Sequence, residues 1–310
     1  MPQTVKEPCG VLIVNKHAGA TSHDIVNKIR HLYGTRRVGH TGTLDPMATG
    51  VLVVLVGRAA KASEYLMSKQ KSYVATLRLG TVTDTGDTTG TVLSVSDHIP
   101  TADELQAVLP RFRGEILQTP PMYSALKVNG RKLVDLARRG ETVERKPRPV
   151  TVSRLEAIPT ESRTDYRLEV TCSGGTYIRA LCEDIGSALG CGGTMAGLCR
   201  TETCGFSIAS AHTVDELTEM DDDSRLACLL PPDSLFRELP SIRLQEFHEK
   251  LLRGGCAVLQ SKLKVDFPVG TRVRLLNPEN VFFALGEVTE AEEGSAVKAV
   301  KTFVLEGVSP

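Results

Sequence analysis

One stretch of this 310-residue chain has residue types and spacing suited to chemistry: Gly39-His40-Thr41-Gly42-Thr43-Leu44-Asp45-Pro46-Met47-Ala48-Thr49-Gly50. Its glycines, threonines and proline are turn formers. Arg36 and Arg37 precede it, and the apolar run Val51–Val56 follows. Its single carboxylate, Asp45, stands before Pro46, and a proline biases the preceding residue toward an extended or turn shape. An acid on a stiff loop joined to a buried strand is how a scaffold presents a catalytic group. Asp-Pro also initiates ordinary turns, so the loop alone leaves a simple turn cap open. A phosphate-cradling loop would end Gly-Lys-Ser/Thr, whereas this one ends Thr49-Gly50-Val51 with no lysine.

Other groups able to do chemistry lie far away along the chain. Lys71-Ser72-Tyr73-Val74-Ala75-Thr76-Leu77-Arg78-Leu79 alternates, which puts Tyr73 on one face with Ala75, Leu77 and Leu79. Tyr73 is then either a core aromatic or a platform for an unstacked base. Thr83-Asp84-Thr85-Gly86-Asp87-Thr88-Thr89-Gly90 is a polar turn whose acids depart from the calcium-loop pattern beyond Asp87. Gly174-Gly175 precedes a helix with Ile178, Leu181, Ile185 and Leu189 on one stripe, so Tyr177 and Arg179 fall in its first turn.

The run Arg37 to Leu52 resembles the signature of the TruB family, the tRNA pseudouridine-55 synthases, and the match is long and unbroken. Further segments resemble the same family: Lys16 to Ser22, Lys71-Ser72-Tyr73, Thr83 to Asp87, Pro120 to Lys127, Gly175 to Arg179, and Ala196 to Arg200. His17 stands where the family usually has proline, which loosens one turn and touches no catalytic position. The resemblance implies that Asp45 is the catalytic aspartate, that Arg179 pairs with it, and that Tyr177 contacts the base and handles its proton. It further implies that Tyr73 stacks on the base, Leu198 lines the uracil pocket, Asp87 structures the site and Lys127 contacts substrate. His40 would fill the space left by a base flipped out of the T loop. A guanidinium beside Asp45 would lower its pKa and keep it charged. Whether Asp45 attacks the base or acts at the ribose stays open. The isomerisation needs no redox change or energy input, so neither cofactor nor metal is expected.

These residues need elements to hold them. Val11–Val14 reads as a strand, followed by a helix capped at Thr21 or Ser22, with Ile25, Ile29 and Leu32 inward, that stops at Gly34. The run after the signature loop is a buried strand, and 59–69 reads as a helix. Thr101 to Glu104 forms a capping box, and Thr213 opens a further helix. Near residues 235–240 the composition changes. Beyond it, Leu252–Gly255, 271–276, 281–288 and 297–305 read as short strands of a small β barrel that loosely resembles a PUA domain, an RNA-binding module. The expected fold is α+β: a pseudouridine synthase domain over 1–238, with a mixed or antiparallel central sheet flanked by helices, and a PUA-like domain over 239–310.

The balance of 37 Lys/Arg against 37 Asp/Glu hides segregation. Residues 111–150 hold ten Lys/Arg and four acids, whereas 215–233 hold seven acids and one arginine. The first stretch, with Arg131, Lys132, Arg138 and Arg139, reads as an arm over about 121–149 that closes on RNA through phosphate contacts, the bland alternative being a solvated insertion. Its glycines and prolines make partial mobility the expectation before RNA arrives. The eight scattered cysteines form no Cys-x-x-Cys pair and read as reduced thiols, and the N-terminus has no apolar export core. The partner expected is the T stem-loop of tRNA, met by a cytoplasmic monomer without membrane attachment. Competing readings are a non-catalytic RNA-binding or RNA-folding protein, a synthase acting on another RNA, and a hydrolase or phosphotransferase. The last would want a second carboxylate or metal ligands beside Asp45, and its loop has neither.

Overall fold

The structure, a computed structural model, describes residues 7–128 and 130–303. The residues read for an export signal up to position 6, Asn129, and Val304 and Leu305 at the end of the last expected strand lie outside the described residues. The architecture is α+β. A ten-stranded mixed sheet runs in the order His212–Thr213, Gly10–Lys16, Thr49–Val56, Gly193–Thr203, Lys71–Leu79, Asp165–Cys172, Arg148–Pro159 and Gly114–Gln118, with Val38–His40 and Phe206–Ser207 attached at its side. Most neighbours are antiparallel; Thr49–Val56 and Gly193–Thr203 are parallel and meet only at Thr49–Cys199 and Gly50–Arg200.

The apolar run Val51–Val56 follows from burial on both faces. Val51, Val53 and Leu55 pack with Val11, Ile13 and Leu66 on one side, and Leu52, Val54 and Val56 pack with Ile25, Val26 and Ile29 on the other. The helix supplying those isoleucines, Ser22–Leu32, starts at Thr21 with a reciprocal capping box to Asp24. At the other end of the sheet, Tyr73, Ala75, Leu77 and Leu79 face the stripe Ile178, Leu181 and Ile185 of the helix Ile178–Ala188.

Two local expectations are corrected. Residues 59–69 do not form one helix: a 3-10 turn, Gly57–Ala62, hands over to a single α-turn, Ser63–Leu66. The fully buried positions Ala59, Ala62 and Leu66 step first by three and then by four, as a 3-10 turn followed by an α-turn requires. Leu252–Gly255 is not a strand but the end of the helix Glu246–Arg253, with Gly254 as its C-cap. Glu246–Lys250 and Glu249–Arg253 pairs four residues apart support that helix, a periodicity that the short apolar match concealed.

Past Pro240 a second, five-stranded sheet forms in the order Ser241–Arg243, Arg272–Leu276, Phe282–Ala291, Gly294–Thr302 and Val258–Leu259. It leans on the first through an aromatic cluster in which Phe236 meets Phe282 and Phe303 at centroid distances of 6.0 and 5.8 Å. Asp233–Arg274, Glu238–Lys69 and Glu64–Lys301 ion pairs rim that contact. No helix among the described residues is long and apolar enough to cross a membrane.

Candidate active site

The loop bearing Asp45 enters where the two parallel central strands diverge, and its main chain is fastened residue by residue. Five consecutive carbonyls have named donors: Gly42 from Arg200 Nη2 (3.1 Å), Thr43 from Arg200 Nη1 (3.4 Å), Leu44 from Ser22 Oγ (3.1 Å), Asp45 from the Ala48 N–H (3.0 Å), and Pro46 from Lys16 Nζ (3.2 Å) and the Gly19 N–H (2.8 Å). Ser22 Oγ also accepts from the Leu44 N–H at 2.8 Å. Lys16 and Arg200 are both fully buried. A buried cation is costly unless hydrogen bonds compensate it. Arg200 adds a 2.7 Å bond to the Val51 carbonyl, and Lys16 adds bonds to the His17 and Ala20 carbonyls. His17 therefore serves through its carbonyl, while its ring stays exposed. Burial lowers the Lys16 ammonium to about 8, against the pull of Asp45. Gly50 closes the loop at φ +98°, where a Cβ would lie 2.2 Å from the Arg200 carbonyl oxygen, so only glycine fits.

Asp45 and Arg179 are in direct contact across 134 residues of sequence. The guanidinium meets the carboxylate side-on, Nε to Oδ2 at 3.0 Å and Nη2 to Oδ1 at 3.2 Å. The arginine side chain is 5 % exposed and the aspartate 33 %, so the acid faces an opening while its partner is walled in. Arg179 is held in turn by the Thr85 carbonyl (2.9 Å) and the Tyr123 carbonyl (2.7 Å). Asp87 Oδ2 lies 3.7 Å from Arg179 Nε, and its other oxygen is tied to Thr85 Oγ1 and the Thr89 N–H and hydroxyl. Asp87 is thus a second carboxylate on the same guanidinium, contributed by a remote turn.

The expected direction for the Asp45 carboxyl is corrected. Its pKa is raised: burial is the largest influence, Arg179 opposes it, and Asp87 adds to the rise. The guanidinium limits the shift and does not reverse it.

Tyr73, at 8 % exposure, packs in one cluster with Leu44 and Ala48 of the Asp45 loop, and Leu198 rests against that cluster. Tyr73, Arg200 and Gly50 are cross-strand neighbours in a row over three strands. Tyr177 is the N-cap residue of its helix, partly exposed, with its phenol pushed up by burial. His40 ends the short strand Val38–His40; its Nδ1 accepts from the Gly42 N–H at 3.2 Å, and burial lowers its pKa, so the neutral ring carries its proton on Nε2.

Not all the expected residues gather here. Lys127, Arg131, Lys132, Arg138 and Arg139 are exposed on the arm, around the two-stranded turn Lys127–Val128 with Arg131–Lys132 and the short helix Leu133–Ala137. Lys127 lines a cleft of about 260 Å³ with Leu126, Arg145, Lys146 and Arg148. Lys16 and Arg200 were quoted only as parts of motifs and given no role. Each donates to main-chain carbonyls remote in sequence, and no local signal marks either.

The chain matches the family model for the N-terminal domain of TruB family pseudouridylate synthases over residues 30–178, and that for the C-terminal domain of tRNA pseudouridylate synthase B over 179–237. It is 45 % identical over 282 residues to the tRNA pseudouridine synthase B of Francisella philomiragia, covering 90 % of each chain. With that of Pseudomonas putida it shares 42 % over 285 residues, 91 % of this chain and 92 % of the relative. Among solved structures, an H/ACA RNP bound to a substrate RNA containing 2'-deoxyuridine superimposes with a TM-score of 0.73 at 23 % identity, covering 100 % of this chain and 90 % of that one. A Cbf5-Nop10-Gar1 complex gives 0.72 at 25 %, covering 98 % and 88 %. Those superpositions carry the pseudouridine synthase fold, and the identities over nearly the whole length carry the rest: the chain is a member of the TruB family of pseudouridylate synthases.

Proposed function

We propose that the chain isomerises the uridine at position 55, in the T loop of tRNA, to pseudouridine, with Asp45 as the essential carboxylate. The observation that carries this reading is the side-on Asp45–Arg179 pair, half open on the acid's side and fastened on every other. The reaction breaks N1–C1′, joins C5 to C1′, takes a proton from C5 and returns one to N1. It calls for an ionised carboxylate at the nucleoside, a proton acceptor for C5 and a surface to hold the detached base. Arg179 stabilises the ionised Asp45, Tyr177 handles the proton, and Tyr73 with Leu198 holds the base. His40 fills the space left in the T loop, and Asp87 keeps Arg179 aligned. Target uridines must leave their stack to reach such a site.

The arm, with Lys127, Arg131, Lys132, Arg138 and Arg139, closes on the RNA backbone by phosphate contacts. We read residues 1–238 as the catalytic domain and 239–310 as a PUA-like RNA-binding domain. We place the work of the enzyme in the cytoplasm, as a monomer that needs neither metal nor cofactor.

Tritium release from tRNA labelled at uracil C5, combined with mapping of pseudouridine in total RNA from a deletion strain, tests this directly. Release from tRNA and loss of the modification at position 55 alone are the expected results. Release with loss at other RNA positions would make it a synthase for another RNA. Binding of tRNA without release would leave an RNA-binding or RNA-folding protein.

A further inference from the structure

Tyr177 caps its helix without a capping side chain; its phenol makes no bond to the helix N–H groups. Serine, threonine, aspartate and asparagine are the usual residues there. The N-cap main chain is instead held from outside. Gln118 Oε1 accepts from the Tyr177 N–H at 2.7 Å, and Gln118 Nε2 donates to the Tyr177 carbonyl at 3.1 Å. That carbonyl also accepts from the Leu181 N–H at 3.1 Å. The carboxamide therefore closes a two-bond ring on one residue and fixes the backbone from which the phenol projects. Gln118 is 2 % exposed, so neither bond competes with water.

The position of Gln118 adds to this. It ends the strand Gly114–Gln118 and is the cross-strand partner of Arg148, the first residue of the strand Arg148–Pro159. Those two residues are the two roots of the basic arm. From within the arm, the Tyr123 carbonyl binds Arg179, and the Ser124 hydroxyl, sealed from solvent and lacking a well-formed hydrogen bond, lies beside the Tyr177 phenol. The arm's base is thus joined to the main chain of one active-site residue and to the guanidinium of another.

We propose that Gln118 is a positioning residue for Tyr177: its carboxamide sets the phenol's placement over the base and transmits the closure of the arm on RNA to it. This rests on the reading of Tyr177 as the proton-handling group.

The test compares Gln118→Met, which keeps the volume and loses both bonds, with Gln118→Glu, whose protonated carboxyl can restore both. The charged groups beside the phenol are Arg148, Arg179 and Asp45. With wild-type tRNA, Gln118→Met is expected to lower kcat about a hundredfold with KM unchanged. Gln118→Glu is expected to exceed Gln118→Met, with a margin that widens as pH falls from about 8.5 to about 6. Wild-type kcat in Gln118→Met, a rise in KM alone, or Gln118→Glu no better than Gln118→Met at any pH would overturn the proposal. If Gln118→Met does not fold, the Gln118→Glu profile decides: a kcat that falls with pH in parallel with wild type overturns it. Tyr177→Phe is measured alongside. Full activity there removes the proton-handling reading and this proposal with it, whereas an inactive Tyr177→Phe beside a fully active Gln118→Met removes only the positioning role.

Discussion

The Asp45 loop and the basic arm use positive charge in opposite ways. Around the loop, Lys16, Arg179 and Arg200 are buried, and their donors are spent on carbonyl oxygens and carboxylates of the protein itself. On the arm, Arg131, Lys132, Arg138 and Arg139 are exposed and have no ion-pair partner among the described residues. Buried cations with saturated donors fix a main chain and cannot be recruited elsewhere. Exposed cations are free to meet a phosphate backbone of variable shape. On the proposed function, rigidity is placed where a carboxylate must stand still, and unspent charge where a large ligand must be gathered. Substitutions in the two regions should fail differently.

Among the cations that hold the Asp45 loop, the largest effect belongs to Arg179, which touches both carboxylates and two carbonyls. Arg179→Lys keeps the charge and loses the side-on geometry, so kcat is expected to fall about a hundredfold or more. Denaturant unfolding should show a loss of about 3 kcal/mol, since buried groups lose their partner. Next is Arg200→Met, which leaves the carbonyls of Gly42, Thr43 and Val51 without their donor. It should cost about 3 kcal/mol in denaturant melts and lower kcat more than it raises KM.

Lys16→Met removes the tie to Pro46 and is expected to cost about 2 kcal/mol. Its pH dependence gives a sharper test. The folded-state pKa of about 8 lies below the ordinary lysine value of 10.5. Between those values the unfolded chain binds more protons than the native one, so this group favours the native state increasingly as pH rises through that window. The stability of wild type relative to Lys16→Met should therefore grow from pH 8 toward 10; a constant difference would contradict the lowered pKa of the buried lysine.

Asp45 gives an acid limb. Burial raises its carboxyl above the ordinary 3.8, so kcat should fall on acidification at a pH higher than for an exposed aspartate. The smallest effect on the folded state belongs to the arm. Arg138→Glu with Arg139→Glu should leave the melting temperature unchanged. It should weaken tRNA binding and reduce the slope of log affinity against log salt by about 2. An unchanged slope would return both residues to plain surface.

What the sequence disclosed divides along the same line. The loop, the strand carrying Tyr73 and the helix start carrying Tyr177 and Arg179 were legible because each is a local pattern: turn residues, alternation, a Gly-Gly break before an apolar stripe. The charge segregation marking the arm was equally local. Lys16, Gln118 and Arg200 were not legible, because each acts on main-chain atoms between 30 and 158 residues away, and no periodicity encodes a carbonyl's distant donor. The direction for Asp45 was misread for a related reason: sequence names the arginine but gives no measure of desolvation. Leu252–Gly255 reads as strand in isolation because four residues cannot display the four-residue spacing of the pairs behind them.

On the proposed function, Asp45, carried on a loop with five fastened carbonyls and paired to Arg179, performs the isomerisation. Single-turnover tritium release from C5-labelled tRNA by Asp45→Asn, with tRNA affinity measured on the same preparation, tests it most directly. Wild-type binding and no release are expected. Release above background by a folded, tRNA-binding Asp45→Asn would contradict that role.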